Sequence, residues 1–294
     1  MMRVELLTVG EAFQDLIFMG LPHLPRLGEE LRTPRFVATI GGGAVITATA
    51  AARLGIRSAV VSALSRDAAR ALRGENVRIV NLKRPREAHA ITVALSTGGE
   101  RSFVTFNGVN DRLQARLPAA VRRRLASHVH FAFSPADCAT WTAVADRLRA
   151  RGTTTSWDFG WDPALRNRAG FWRLVRTVDF VFVNEIEAAM YAGLSRRANA
   201  ADFWRRAARN AVITLGPRGS RWAAAGVDVR AAAPRVRAVD TTGAGDAFNA
   251  GFLFGVLRSR TRRDCLRLGN FVGARSTLAA GGVASLPRRR ELPS

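Results

Sequence analysis

Short apolar or β-branched runs alternate along this chain with stretches of helical spacing, and that alternation constrains the fold more than any other feature. The runs are VELLTV (4–9), SAVVSA (58–63), HVHFAF (128–133), TTTSWD (153–158), VDFVFV (178–183) and AVITL (211–215). Residues 140–151, 164–176 and 184–193 carry apolar side chains at helical intervals. Unbroken apolar strands must be covered on both faces, and strands separated by helices run parallel. The pattern predicts a layered α/β domain with helices on each side of a mainly parallel sheet. One segment departs from it. AITVALS (90–96) and RSFVTF (101–106) alternate apolar and polar residues about Gly98 and Gly99, as in a hairpin with one face in water. A second polar, strand-like stretch covers roughly residues 11–39, and together the two would build a small sheet over the main one, where a lid would sit. No internal repeat, low-complexity linker or charge-run boundary divides the 294 residues. A single domain over 1–294 is therefore expected, with lid strands from about 11–39 and 88–109.

Composition narrows what such a domain does. With 48% hydrophobic residues the chain can bury a full core, which excludes a disordered protein. No apolar run approaches the roughly 20 residues that span a bilayer. The opening MMRVELLTVGEAF carries acids where a signal peptide needs a clean apolar core, so a cytoplasmic location without a membrane partner is expected. Cys138 and Cys265 lie far apart and neither belongs to a CxxC pair, which argues against a disulfide framework or a zinc site. The formal charge of +22 invites nucleic-acid binding through counterion release. Its distribution argues otherwise. Lys83 is the sole lysine, the arginines are scattered, and the dense run RRR at 122–124 falls in an apparent helix. No nucleic-acid motif accompanies the charge, so it reads as solvated surface and no specific nucleic acid is expected as a partner.

Two glycine clusters carry the chemistry. In GGGAVITATAAARLG (41–55), Ile46 stands where a dinucleotide fingerprint needs its last glycine, and no strand is read directly before it, so a Rossmann-type fingerprint is weak. The glycines still let a ligand approach the backbone, the alanine-rich run is a strong helix former, and Gly55 suits the position just past the helix end. The second cluster, DTTGAGDAFNAG (240–251), leads into Phe248, Phe252 and Val256, four apart, so a buried helix begins near Ala244 or Gly245 with glycines before it. A helix N-terminus offers free N–H groups and a partial positive charge, which together make an anion cradle. Asp246 in that first turn suits either of two roles: interaction with the helix dipole, or removal of a proton from a hydroxyl that attacks a phosphate.

These residues carry a resemblance. DTTGAGDAFNAGF resembles the C-terminal signature of the ribokinase-like (PfkB) family of carbohydrate kinases, and GGGAVITATAAARLG resembles its N-terminal signature. The likeness runs along nearly the whole chain. Asp15, five residues after Gly10, resembles the family's sugar-hydroxyl ligand, with Gly42 and Gly43 on the same acceptor. VNEIEAAMYAG, with Asn184 and Glu187, resembles the NxxE motif for phosphate and Mg²⁺, and VITLGPRGSRW, with Thr214, Gly216 and Gly219, resembles the nucleotide loop. The resemblance implies a three-layer α/β/α domain with a β lid, ATP as phosphoryl donor, and a sugar or nucleoside as acceptor. It makes Asp246 the base, with the N–H groups of Gly243, Ala244 and Gly245 holding the developing charge. It further implies Mg²⁺ at Glu187 through water, a monovalent cation such as K⁺ near Asp240 and Thr242, Asn270 on the adenine side, and a homodimer through the lid. The alternatives are a nucleoside kinase on the same fold and a catalytically silent binding protein.

Two departures bear on the acceptor. Ile46 replaces the asparagine that usually contacts a sugar hydroxyl, and Phe133 stands where ribokinases have a glutamate. Both would make the acceptor pocket less polar. An unpaired buried hydroxyl costs about 1–3 kcal/mol, so ribose bound in the ribokinase way is disfavoured, and a ketose, a deoxy or acidic sugar, or a nucleoside stays open. His128 and His130 share a strand face without a third ligand at metal spacing and read as structural. Trp157 and Trp161 flank Asp158, where they either line the acceptor pocket or belong to the core. There is no GxSxG elbow and no Walker A motif.

Overall fold

The computed structural model describes residues 4–97, 101–195 and 197–293. The strands are β1 (Val4–Gly10), β2 (Phe13–Met19), β3 (Arg35–Gly41), β4 (Ser58–Ser62), β5 (Arg78–Asn81), β6 (Ile91–Ser96), β7 (Arg101–Phe106), β8 (Ala126–Ala132), β9 (Thr154–Asp158), β10 (Phe180–Asn184), β11 (Ala211–Thr214), β12 (Ser220–Ala224) and β13 (Val227–Ala231). The helices are α1 (Gly43–Arg53), α2 (Arg66–Gly74), α3 (Asn110–Leu113), α4 (Leu117–Arg122), α5 (Cys138–Arg149), α6 (Phe171–Thr177), α7 (Glu185–Ala192), α8 (Ala200–Ala207), α9 (Ala244–Leu257) and α10 (Arg262–Ser276).

A nine-stranded sheet forms the body, in the order β13-β12-β11-β10-β9-β8-β1-β4-β5. From β11 to β5 every pairing is parallel, and the β11–β12–β13 edge is antiparallel. Alternate side chains of each strand feed opposite layers. Leu6, Phe180, Phe182, Val212 and Trp222 pack against α1, α9 and α10, while Leu7, Val129, Phe131, Trp157 and Val181 pack against α4 to α8. At roughly 25 cal/mol per Å² of buried apolar surface, this double-sided core is the main stabilising term. Every strand expected from the sequence is present. The reading missed β5, a four-residue edge strand, and the β12–β13 hairpin, whose alanines and Gly226 give little strand signal.

The polar segments form a separate four-stranded sheet, β3-β2-β6-β7. The expected β6–β7 hairpin is antiparallel, and its turn glycines Gly98 and Gly99 lie outside the described residues. Strand β3 runs directly into the first glycine cluster, contrary to the reading that no strand precedes it. The helical stretch 164–176 is broken: a turn of 3-10 helix, Leu165–Asn167, is followed by Gly170 at φ +81° before α6 starts. Only the first arginine of the RRR run is helical, because α4 ends at Arg122. Among the described residues no helix is long and apolar enough to cross a membrane.

Candidate active site

Parallel sheets gather function at the carboxyl ends of their strands, where the loops leave toward the helices. Here that edge collects Gly10 from β1, Asp158 from β9, Asn184 from β10 and Thr214 from β11. Helix α1 rises beside it from Gly42, whose φ of +100° and tight approach to the Glu11 carbonyl exclude a side chain. Helix α9 rises from Gly243, which holds φ +71° as its N-cap. The two helices meet where Gly43 abuts Asp246: a Cβ on Gly43 would lie 2.7 Å from Asp246 Oδ1. Thr47 Oγ1 ties them by donating to the Asp246 carbonyl at 3.1 Å. Asp15, from β2 of the small sheet, lies against Gly41 so closely that any Cβ there would overlap its carboxylate.

Four acids thus converge: Asp15, Asp158, Glu187 and Asp246. Burial, followed by the charges of Asp158, Glu187 and Asp15, pushes the Asp246 carboxyl well above the usual range. Burial likewise raises Asp158, despite the amide of Asn249 that donates to its Oδ2 at 2.8 Å. Glu187 is pushed up to about 7, by burial and then by Asp158. Asp15 is pushed up to about 6, by burial and then by Asp240. Like charges held together without counter-charge favour protonation, so the cluster is built to receive cationic or proton-donating partners. Among the described residues no three acids, histidines or cysteines close around a common point as a metal cage. The donor set instead suits Mg²⁺ held through its waters, the usual manner for an ion that keeps much of its hydration shell.

The first N–H groups of α9 face no helical acceptor. Among the described residues no backbone carbonyl accepts from the Gly243 or Gly245 N–H, and a Cβ on Gly245 would meet open space, whereas the Ala244 N–H turns to the Thr241 carbonyl at 3.2 Å. Ala244 is therefore the weakest of the expected donors. Asn184 and Glu187 form a reciprocal capping box on α7: Asn184 Oδ1 accepts from the Ile186 and Glu187 N–H groups, and Glu187 Oε2 accepts from the Asn184 N–H, each at 2.9 Å. Among the described residues no acceptor takes up Asn184 Nδ2. Thr214 closes β11, and Gly216 (φ +58°) and Gly219 (φ +101°) shape the turn into β12; a Cβ on Gly219 would strike the Ala231 carbonyl. Asn270 is not an open ligand. It is buried, and its Nδ2 donates to the Ala231 and Ala232 carbonyls at 3.0 and 3.2 Å, fastening α10 to the end of β13. Asp240 is buried, with Oδ1 accepting from the Thr242 N–H at 2.7 Å and Oδ2 from the Gly281 N–H at 2.9 Å.

Both departures from the sugar-kinase pattern sit differently from the expectation that they line the acceptor pocket. Ile46 is 2% exposed and its Cδ1 fills the space beside Gly243 and Gly282, at 2.6 Å from where a Cβ of either would stand. Phe133 is buried among Phe131, Trp141 and Trp157 in the core. Trp157 belongs to that same cluster and donates to the Phe133 carbonyl at 2.8 Å, whereas Trp161 is exposed. His128 and His130 are buried and share the Ser156 hydroxyl, and burial lowers both to about 3, so they are neutral core residues. Sequence reasoning did not assign Asp158 and Asn249 to the site; an acid at the last position of a parallel strand was the signal that could have found the first.

Residues 4–289 match the protein family described as pfkB family carbohydrate kinase. A ribokinase of Haemophilus influenzae is 25% identical over 309 residues, covering 99% of this chain and 97% of that protein. A 2-dehydro-3-deoxygluconokinase of Bacillus subtilis is 25% identical over 317 residues, covering 100% of this chain and 95% of that protein. Among solved structures, an adenosine kinase from Sinorhizobium meliloti superposes with a TM-score of 0.80 at 25% identity, covering 96% of each chain.

Proposed function

The chain belongs to the pfkB family of carbohydrate kinases, and from that premise we propose that Asp246 is the base by which it moves the γ-phosphoryl group of ATP to a hydroxyl of a sugar or nucleoside. The observation that carries this reading is the junction of α1 and α9, where Asp246 stands in the first turn of a glycine-led helix and faces the backbone of Gly43. Asp15, Gly42 and Gly43 hold the acceptor. Asp246 takes the hydroxyl proton as that oxygen bonds to the γ-phosphorus and the bond to the departing ADP oxygen breaks. The Gly243 and Gly245 N–H groups donate to the charge on the transferring group, joined by Ala244 once its turn bond opens. Asn184, Thr214, Gly216 and Gly219 border the nucleotide, with Asn270 behind them as a positioning residue. Glu187, with Asp158 beside it, would hold Mg²⁺ through water, where the ion would supply positive charge to offset the phosphates.

Asp240 and Thr242, next to the cradle, are the candidates for a monovalent cation such as K⁺. The four-stranded sheet acts as a lid over the acceptor. Register puts Asp15 and Thr39 on one of its faces and Leu16, Phe18, Phe36, Val93, Val104 and Phe106 on the other, with Phe36, Val104 and Phe106 exposed. An apolar sheet face in water is unfavourable, so two copies pair through it. Substrate class is tested by coupled ADP release over a panel of ketoses, deoxy and acidic sugars, and nucleosides. We expect at least one to reach a kcat/KM of about 10⁴ M⁻¹s⁻¹, a usual value for enzymes. ATP turnover that no acceptor in the panel raises would favour the silent binding protein.

A further inference from the structure

A cavity of about 670 Å³ lies over the outer side of α10, between the segment after β13 and the C-terminal tail. It is remote from the acids: Phe254 in its wall follows Asp246 by eight residues of α9, roughly 12 Å along the axis at 1.5 Å per residue. One wall continues from the end of β13, where Asn270 Nδ2 donates to the carbonyls of Ala231 and Ala232. Its floor is apolar, from Phe254, Leu268 and Phe271, and Arg260, Arg267 and Arg289 stand around it. None of these three guanidiniums has an ion-pair partner among the described residues, whereas Arg53, Arg116 and Arg221 elsewhere do. Asp264, in the same wall, spends one carboxylate oxygen on the Thr261 hydroxyl.

We infer that this cavity is a second binding site, which takes a phosphate monoester with an aromatic or apolar body. Three positive charges less one negative leave a net of two, the charge a phosphate monoester carries near neutral pH. Guanidinium forks match phosphate oxygens bidentately, and three arginines lining one cavity without a carboxylate partner are relieved by an anion bound there. The apolar floor suits the body of the ester, and the volume falls within the range of about 300–1,000 Å³ found for small-molecule sites.

The probes are phenyl phosphate and methyl phosphate, titrated calorimetrically into the full chain. Phenyl phosphate is expected to saturate one site at least about tenfold more tightly than methyl phosphate, since only the former covers the floor. The double variant Arg267→Gln, Arg289→Gln should weaken phenyl phosphate binding by about tenfold or more, the size of a lost charge-assisted hydrogen bond. Arg70→Gln, a distant exposed control, should leave it within about twofold, and kinase turnover of all variants should be unchanged. Equal affinity of the double variant and the wild type, equal affinity for the two esters, loss in Arg70→Gln, or no saturable binding at millimolar ester would each overturn the assignment.

Discussion

At Glu187 the proposed hold on Mg²⁺ and the observed helix cap draw on one carboxylate. Its Oε2 caps the Asn184 N–H, and its neighbours Asp158 and Asp246 make it a natural anchor for a hydrated cation. Glu187→Gln keeps an oxygen for the cap but removes the charge, so the Mg²⁺ concentration for half-maximal turnover should rise by about tenfold, with the acceptor KM within about twofold. Overlaid Mg²⁺ titrations would leave Glu187 a cap only. Ile46 shows how far single residues were legible. Its identity marked a departure from the sugar-kinase pattern, but its neighbours, Gly243 and Gly282, come from segments about 200 residues away in sequence and no local pattern announces them. Because it buttresses the α9 cradle, Ile46→Asn should cost about 2 kcal/mol of stability by burying an amide in apolar packing. It should also lower kcat alike for every acceptor. A changed acceptor ranking with unchanged stability would return position 46 to the acceptor pocket.

Elements were legible where their hydrophobic signal was local and strong. The central strands and the start of α9 at Ala244 follow from periodicity and from the glycines, whereas β5 and the β12–β13 hairpin exist because a sheet already stands beside them. The same limit hid Asp158, whose importance comes from the ends of β9, α7 and α9 being brought together. That convergence has a thermodynamic signature. Glu187 and Asp15 are raised in the folded protein to about 7 and about 6, whereas an unfolded carboxyl titrates near 4. Each of these carboxyls holds its proton more tightly in the folded state and so lowers stability as pH rises from about 4 through 7, whereas the buried His128 and His130, lowered to about 3, act in the opposite sense below about 6.5. The carboxyl share is isolated by comparing the wild type with Glu187→Gln at pH 6 and pH 8. In the variant, stability at pH 8 relative to pH 6 should rise by about 1 kcal/mol after allowance for solvent screening. The same pH dependence in both proteins would contradict the crowded-acid description.

For the whole molecule, a double-sided α/β body fixes the acids and a four-stranded sheet brings Asp15 over them. Alternation of strands and helices made that architecture readable, but register alone revealed that the small sheet has an apolar outer face, since a one-residue slip would have turned it inward. Val104→Glu on that face should shift the protein from dimer to monomer in sedimentation at micromolar concentration without changing its melting temperature by more than a few degrees. A wild type that is already monomeric would remove the pairing. The central claim is that these parts exist to let Asp246 take a proton from an acceptor hydroxyl beside the glycine cradle. Its most direct measurement is the steady-state kcat of Asp246→Asn, at saturating MgATP with the best acceptor from the panel, alongside nucleotide affinity and circular dichroism. A fall of about 10²- to 10⁴-fold in kcat is predicted, with fold and MgATP affinity retained, whereas wild-type kcat in the variant would contradict the account.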